Sequence, residues 1–200
     1  WRRAESFISS DGFLDFNKAS GKIWFAKAAK KRGVEKLLLF SNSPPVIFTK
    51  NGKAFSSDGQ SNLDVGKEKD FSEYISSVFL GFNKLGLSPE YISPINEPQW
   101  DWSDGGQEGN PYLNSEVASL VKSLNRSFEE NGLKAKIDVA EAGKINYLFE
   151  NADKPNRGNQ LNAFFQESSP FYIGDLEHIS KGISAHSYFT TSPFEKSVKL

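Results

Sequence analysis

The chain contains no cysteine. That removes disulfides, thiolate zinc sites and a cysteine nucleophile, and it leaves the compartment open, since exported proteins also dispense with cysteine. Methionine is absent too. Trp1 is therefore not expected to be a translation start, no signal peptide is visible, and we expect residues ahead of it. Histidine is scarce, with only His178 and His186. Neither has convergent carboxylates at ligand spacing, so no metal and no other cofactor is expected. Charge of one sign is missing as well: 24 Lys and Arg stand against 25 Asp and Glu. That balance gives no support for nucleic acid or an anionic membrane as a partner. No apolar run approaches the roughly 18 residues that span a bilayer. The longest, VEKLLLF (Val34 to Phe40), is interrupted by charge.

What is abundant is aromatic side chain. Aromatics make up 14% of the 200 residues, with 17 Phe, 6 Tyr and 4 Trp. Most of the Phe suits a core, and 38% hydrophobic content suits one domain or part of one. Trp and Tyr in polar, Gly-rich loops have a different use. Their flat faces suit stacking on the apolar C–H faces of sugars.

Short apolar strands alternate with longer helical patterns. KIWFAKAAKKRG (22–33) places Trp24, Phe25, Ala28 and Ala29 on one face and ends at Gly, as a helix does; Trp24 is expected in the core. EKLLLFSN (35–42) reads as a strand buried on both faces. Residues 70–86 put Phe71, Tyr74, Ile75, Val78, Phe79 and Phe82 at helical spacing. EYISPIN (90–96) is the next strand, and 114–132 is a helix with a capping pattern at its start and Gly at its end. KAKIDVAEAG (134–143) is a third strand, 158–168 a short helix, and GISAHSYF (182–189) a fourth strand.

This alternation, with no adjacent strand pair to make a hairpin, predicts parallel strands covered by helices. A doubly wound sheet would favour a Gly-rich phosphate loop after a strand, and neither GxGxxG nor GxxxxGK[ST] occurs. A (β/α)8 barrel instead places its chemistry in the loops that follow the strands. Here those loops are long, polar and aromatic: residues 41–62 after the first strand and 97–112 after the second. The strands recur every roughly 45 to 55 residues, so eight units would need roughly 360 residues, within the range of barrels. The expected fold is α/β, a partial (β/α)8 barrel, with chain missing at both ends.

The residue at the centre of the argument is Glu97, in YISPINEPQWDW (91–102). It stands where a barrel strand meets its loop. Asn96 precedes it, and Pro98 removes a backbone donor and disfavours helical geometry at Glu97. Glycoside cleavage needs a proton delivered to the leaving oxygen and a carboxylate that meets the oxocarbenium-like centre. The donor must hold its proton at working pH, which apolar walls or a second carboxylate favour. Trp100 and Trp102 offer both a wall and a stacking platform, and the Asn96 amide suits a sugar hydroxyl. The alternative is a loop-entry carboxylate that caps something local.

Taken together, SNSPPV after one strand, YISPINEPQWDW at the next and AHSYF at the last resemble glycoside hydrolase family 30, with WRRAESF fitting the segment after a second strand. The likeness runs over the whole chain and is nearest to the endo-β-1,6-galactanase-like group of exported proteins. It implies that the four strands are the third to sixth of the barrel, and that residues 1–200 are a fragment of one catalytic domain. It implies that Glu97 is the acid/base, Asn96 its preceding Asn, and the nucleophile a Glu on the seventh strand, beyond residue 200. One position departs from the family pattern: after SPP the family commonly has Trp at the second place, where this chain has Ile47 and then Phe48. That puts one wall of the sugar site in doubt.

Most of the other candidates carry alternative readings. Glu141, at the end of the third strand, is a pocket group that binds sugar or keeps Glu97 protonated by repulsion, a structural carboxylate, or the nucleophile itself. His186 and Tyr188 alternate along one side of their strand, as contacts to sugar or nucleophile, or as satisfied core groups. His178 is expected at the surface. Asn42 and Ser43 bind substrate hydroxyls or make the turn before Pro44 and Pro45. Trp1, Arg2 and Arg3 form a pocket rim or surface salt bridges. Asp101, Asp104 and Glu108 lack the spacing of a dedicated calcium loop and read better as a solvated loop.

The expected function is a retaining glycosidase that acts on a β-linked polysaccharide or oligosaccharide, β-1,6-galactan among the candidates, with carbohydrate as its partner and export inferred from the family. The alternative is a carbohydrate-binding pseudoenzyme or inactive barrel fragment without a nucleophile. Four βα units alone would leave open sheet edges, so the segment by itself is expected to be inactive and to associate, completed in nature by the missing barrel strands.

Overall fold

The computed structural model describes residues 5–188. Trp1, Arg2, Arg3 and Phe189 lie outside the described residues. In chain order the elements are α1 (Ser20–Lys31), β1 (Leu38–Phe40), α2 (Glu68–Lys84), β2 (Tyr91–Ser93), α3 (Asn114–Glu130), β3 (Lys136–Ala142), α4 (Gln160–Phe165) and β4 (Ile179–Ala185). The strands form one sheet in the order β1-β2-β3-β4, every pairing parallel. That is the strand order of a barrel wall, and the fold is a partial (β/α)8 barrel.

Periodicity explains the helical layer. α2 buries Phe71, Ile75, Val78, Phe79 and Phe82, and α3 buries Val117, Leu120, Val121, Leu124 and Phe128. The two helices meet through serines one turn apart. Ser72 Oγ donates to Ser123 Oγ at 3.0 Å, and Ser76 and Ser127 hydroxyls lie 2.6 Å apart. Small residues let the axes approach, and each hydroxyl is satisfied in a place where an unpaired one would be costly. At the start of α3 the Glu116 carboxylate accepts from the Leu113 N–H at 2.7 Å. Ile92, Ile137 and Val139 pack against this layer from the sheet.

Four expectations fail here. Trp24 and Phe25 are about 70% exposed rather than core, because α1 rests through Ala19 and Ile23 on Phe7, Val78, Phe82 and Leu87, so the packed stripe is rotated. The first strand is not buried on both faces. Leu39 turns toward the helices, while Leu38 and Phe40 are nearly half exposed on the other face of a terminal strand. His178 is buried, not at the surface. Its N–H donates to Asn125 Oδ1 at 2.9 Å, its Nδ1 meets the Ala135 carbonyl at 2.9 Å, and its ring stands edge-on to Phe128. The last strand also begins earlier and ends sooner than expected, which puts His186 and Tyr188 just past its tip.

Candidate active site

Glu97 follows β2 by a short buried run, Pro94 to Asn96. Its φ is +41°, and Glu141 beyond the middle of β3 has φ +38°. A left-handed non-glycine backbone costs on the order of 1–3 kcal/mol and persists only where the surroundings hold it. Here they do. Glu97 N–H donates to the Glu141 carbonyl at 2.9 Å, and the Glu97 carbonyl accepts from Trp102 Nε1 at 3.0 Å and from Trp100 N–H at 3.2 Å. Glu141 N–H donates to Ser184 Oγ at 3.2 Å on β4, and His186 N–H donates to the Ala142 carbonyl at 2.8 Å. The register shifts between β3 and β4 around Val139, as it does at bulges that re-aim a side chain. The C-terminal ends of β2, β3 and β4 are thus tied to one another in turn.

Their side chains converge. His186 Nδ1 lies 2.5 Å from Glu97 Oε1, and His186 Nε2 lies 3.1 Å from Glu141 Oε2. The Glu97 side chain is 7% exposed, Glu141 13% and His186 24%. Tyr188 stands edge-on to the His186 ring, with centroids 5.2 Å apart. A neutral imidazole carries one N–H, so filling both contacts takes two protons. Either an imidazolium sits between two carboxylates, or a neutral ring sits between one carboxylate and one carboxylic acid. Both states give the trio a net charge of one minus.

The tryptophans are placed by glycines. A side chain at Gly143 would put its Cβ 2.6 Å from Trp100 Nε1, and one at Gly109 would put it 2.1 Å from the Trp102 indole. Trp100 is half-buried, with Lys144 Nζ 5.2 Å from its ring and Tyr147 edge-on to it. Trp102 spends its N–H on the Glu97 carbonyl. Asn96 is buried, and its Oδ1 has no hydrogen-bond partner among the described residues. Asn42 is exposed past β1, and Ser43 is engaged in turn contacts: its Oγ donates to Pro44 O, and its carbonyl accepts from Ser41 Oγ at 3.0 Å. Of the expected site residues, the structure joins the side chains of Glu97, Glu141, His186 and Tyr188, ties Trp102 to the Glu97 carbonyl, sets Trp100 against Tyr147 and leaves Ser43 in a turn. At the departing position, Phe48 is buried in the core and Ile47 packs against it.

Sequence reasoning missed Gln99. It is fully buried, accepts from Gly143 N–H at 3.1 Å and donates to the Arg157 carbonyl at 2.9 Å. Arg157 in turn donates to Asp101 at 3.0 Å and to the Gly59 carbonyl at 2.6 Å. These bonds fasten together the loops after β1, β2 and β3, and the only signal for them was a polar residue in an otherwise buried run. Beside them lies a polar cleft of about 380 Å³ lined by Asp58, Asp101, Asp153, Lys154 and Arg157. In the acidic loop, Asp101 pairs with Arg157 and Lys154, and Asp104 accepts from Gly106 N–H at 2.9 Å. Among the described residues no three His, Cys, Asp or Glu side chains group to hold a metal ion, and no helix is long and apolar enough to cross a membrane.

Comparison with known proteins follows the same line. A conserved exported protein from Bacteroides fragilis superposes with a TM-score of 0.92 at 31% identity, covering 96% of this chain and 40% of that one. A glycoside hydrolase family 30, subfamily 8 xylanase from Clostridium acetobutylicum gives 0.62 at 18% identity, over 91% of this chain and 41% of that one. An endo-β1,6-glucanase gives 0.62 at 16% identity, over 92% and 42%; these two show the fold alone. The chain thus spans about two fifths of the length of each. No curated protein sequence matches. A profile of O-glycosyl hydrolase family 30 matches residues 1–200, and the chain belongs to that family.

Proposed function

We propose that residues 1–200 are the central part of the catalytic barrel of a retaining glycosidase, with Glu97 as its general acid/base. The observation that carries the reading is the placement of Glu97. It is a buried carboxylate at the C-terminal end of a barrel strand, where the chemistry of this fold is built, and its backbone is held in a costly conformation by the neighbouring strand β3 and by its own loop. Glu97 protonates the glycosidic oxygen and later takes the proton from the water that releases the glycosyl-enzyme. Asn96 Oδ1, buried and unpartnered, accepts a sugar hydroxyl beside the reacting carbon. Trp100 and Tyr188 offer aromatic faces to the sugar.

Glu141 does not serve as nucleophile in this account. A retaining pair needs its carboxyls about 5–5.5 Å apart with the sugar between them, and the His186 ring occupies the space between Glu97 and Glu141. The nucleophile is assigned to a Glu outside residues 1–200, on the seventh strand, and the remaining barrel covers Leu38 and Phe40. The substrate class is a β-linked polysaccharide. The solved relatives include xylanases and an endo-β1,6-glucanase, and β-1,6-galactan is the candidate that the sequence favours. The exported relative supports export.

The test uses the intact protein on β-1,6-galactan, β-1,6-glucan and xylan, with proton NMR of the first reducing ends formed. One substrate is cut and the β-anomer appears first. An α-anomer would overturn retention. Binding without hydrolysis of any of them would favour the carbohydrate-binding alternative.

A further inference from the structure

The trio Glu97, His186 and Glu141 does something that an acid/base alone does not require. His186 takes one Glu97 oxygen, Oε1, at 2.5 Å. It is held from behind by Glu141 at 3.1 Å, and Glu141 is itself anchored through its backbone to Ser184 and to Glu97. Every link crosses from one strand end to another, so the ring cannot turn without breaking contacts on both sides. A carboxyl with one oxygen engaged this way presents only the other.

We propose that His186 is a positioning residue for Glu97, and Glu141 for His186: the pair fixes Oε1 as the held oxygen and leaves Oε2 as the one that exchanges a proton with substrate. The inference rests on Glu97 being the acid/base. The acid form of Glu97 adds a third proton, on Oε2, to the two in the histidine contacts and makes the trio neutral; this third proton is the one moved in each step. It passes to the leaving oxygen in the first step and returns from water in the second. The protons in the two histidine contacts stay where they are, and His186 Nδ1–H steadies the carboxylate between the two steps. Glu141 orients the ring as a base–orienter pair does in a nucleophile triad.

Two measurements on the intact protein test this. Nitrogen-15 spectra of the imidazoles, with His186 assigned by its loss in His186→Asn, report the contacts without substrate. Glu97→Gln shifts the Nδ1 signal and Glu141→Gln the Nε2 signal. A ring that responds to neither substitution overturns the proposal whatever the enzyme does. The second measurement compares 2,4-dinitrophenyl with phenyl β-glycosides of galactose, glucose and xylose, using the sugar that the protein cleaves. A dinitrophenolate leaves without a proton, so a misplaced acid lowers kcat/KM, which reports the first step, only for the phenyl substrate. His186→Ala loses about 10-fold or more in kcat/KM on the phenyl glycoside, within the range that acid catalysis supplies, and little in kcat/KM on the dinitrophenyl one. His186→Asn, which keeps a donor near Nδ1, recovers part of the loss. Equal losses on both substrates would overturn positioning while leaving Glu97 in place. A Glu97→Gln protein that cleaves the phenyl glycoside normally would instead overturn the reading of Glu97.

Discussion

Ile137 and Leu38 occupy the same kind of place, each within an apolar parallel strand, but Ile137 is fully buried and Leu38 is 47% exposed. β3 has a neighbour on each side, while β1 ends the sheet of the described residues. Glu97, Glu141 and His186 converge at the ends of β2, β3 and β4, three neighbouring strands that leave β1 out. The rim carries exposed apolar surface: Leu38, Phe40, Trp24 and Phe25. Strand-forming sequence is thus a local property. Burial is decided by what lies alongside.

The comparison can be broken at several strengths, each in the intact protein. The largest effect is expected from Phe128→Ala in the centre, about 3–5 kcal/mol by urea unfolding. Phe40→Ala at the rim should cost nearly as much if the remaining barrel covers it. A cost within about 0.5 kcal/mol, as for a surface site, would leave the rim bare and contradict the barrel account of it. Next, Gly143→Ala forces its new methyl against Trp100 and should cost about 1–3 kcal/mol through overpacking, with a changed near-ultraviolet tryptophan spectrum. Trp102→Phe removes the donor to the Glu97 carbonyl. It should cost about 1 kcal/mol and slow turnover more than it weakens sugar binding.

The smallest effect concerns pH. Burial, opposed by the Ser184 hydroxyl and aided by the Glu141 charge, raises the Asp138 carboxyl above its ordinary range. The folded chain then holds that proton more tightly than the unfolded one does. This contribution to stability is present at low pH and is lost as pH rises from the ordinary carboxylate value through the raised one. Asp138→Asn should remove that slope from the unfolding midpoint above about pH 4. An unchanged slope would place Asp138 in water, like a rim residue.

The centre was far more legible than the rim. Phe71, Ile75, Phe79 and the matching stripe on α3 follow from helical spacing, because both helices have packed neighbours. Trp24 was misplaced because α1 carries two apolar stripes, and periodicity alone does not choose between Trp24 with Phe25 and Ala19 with Ile23. Glu97, Glu141 and His186 were visible as polar groups at strand ends. Their connection through one imidazole was not, since it depends on left-handed backbone at two glutamates, and no residue type in the sequence signals that. His178 was missed because its partner, Asn125, lies on a distant helix.

The central claim is that Glu97 is the acid/base of a glycosidase. Its most direct test is Glu97→Gln in the intact protein, with hydrolysis and binding measured on the polysaccharide that the native protein cleaves. The account predicts a loss of turnover of about 10²–10⁴-fold with sugar affinity retained. Native turnover in that variant would contradict it.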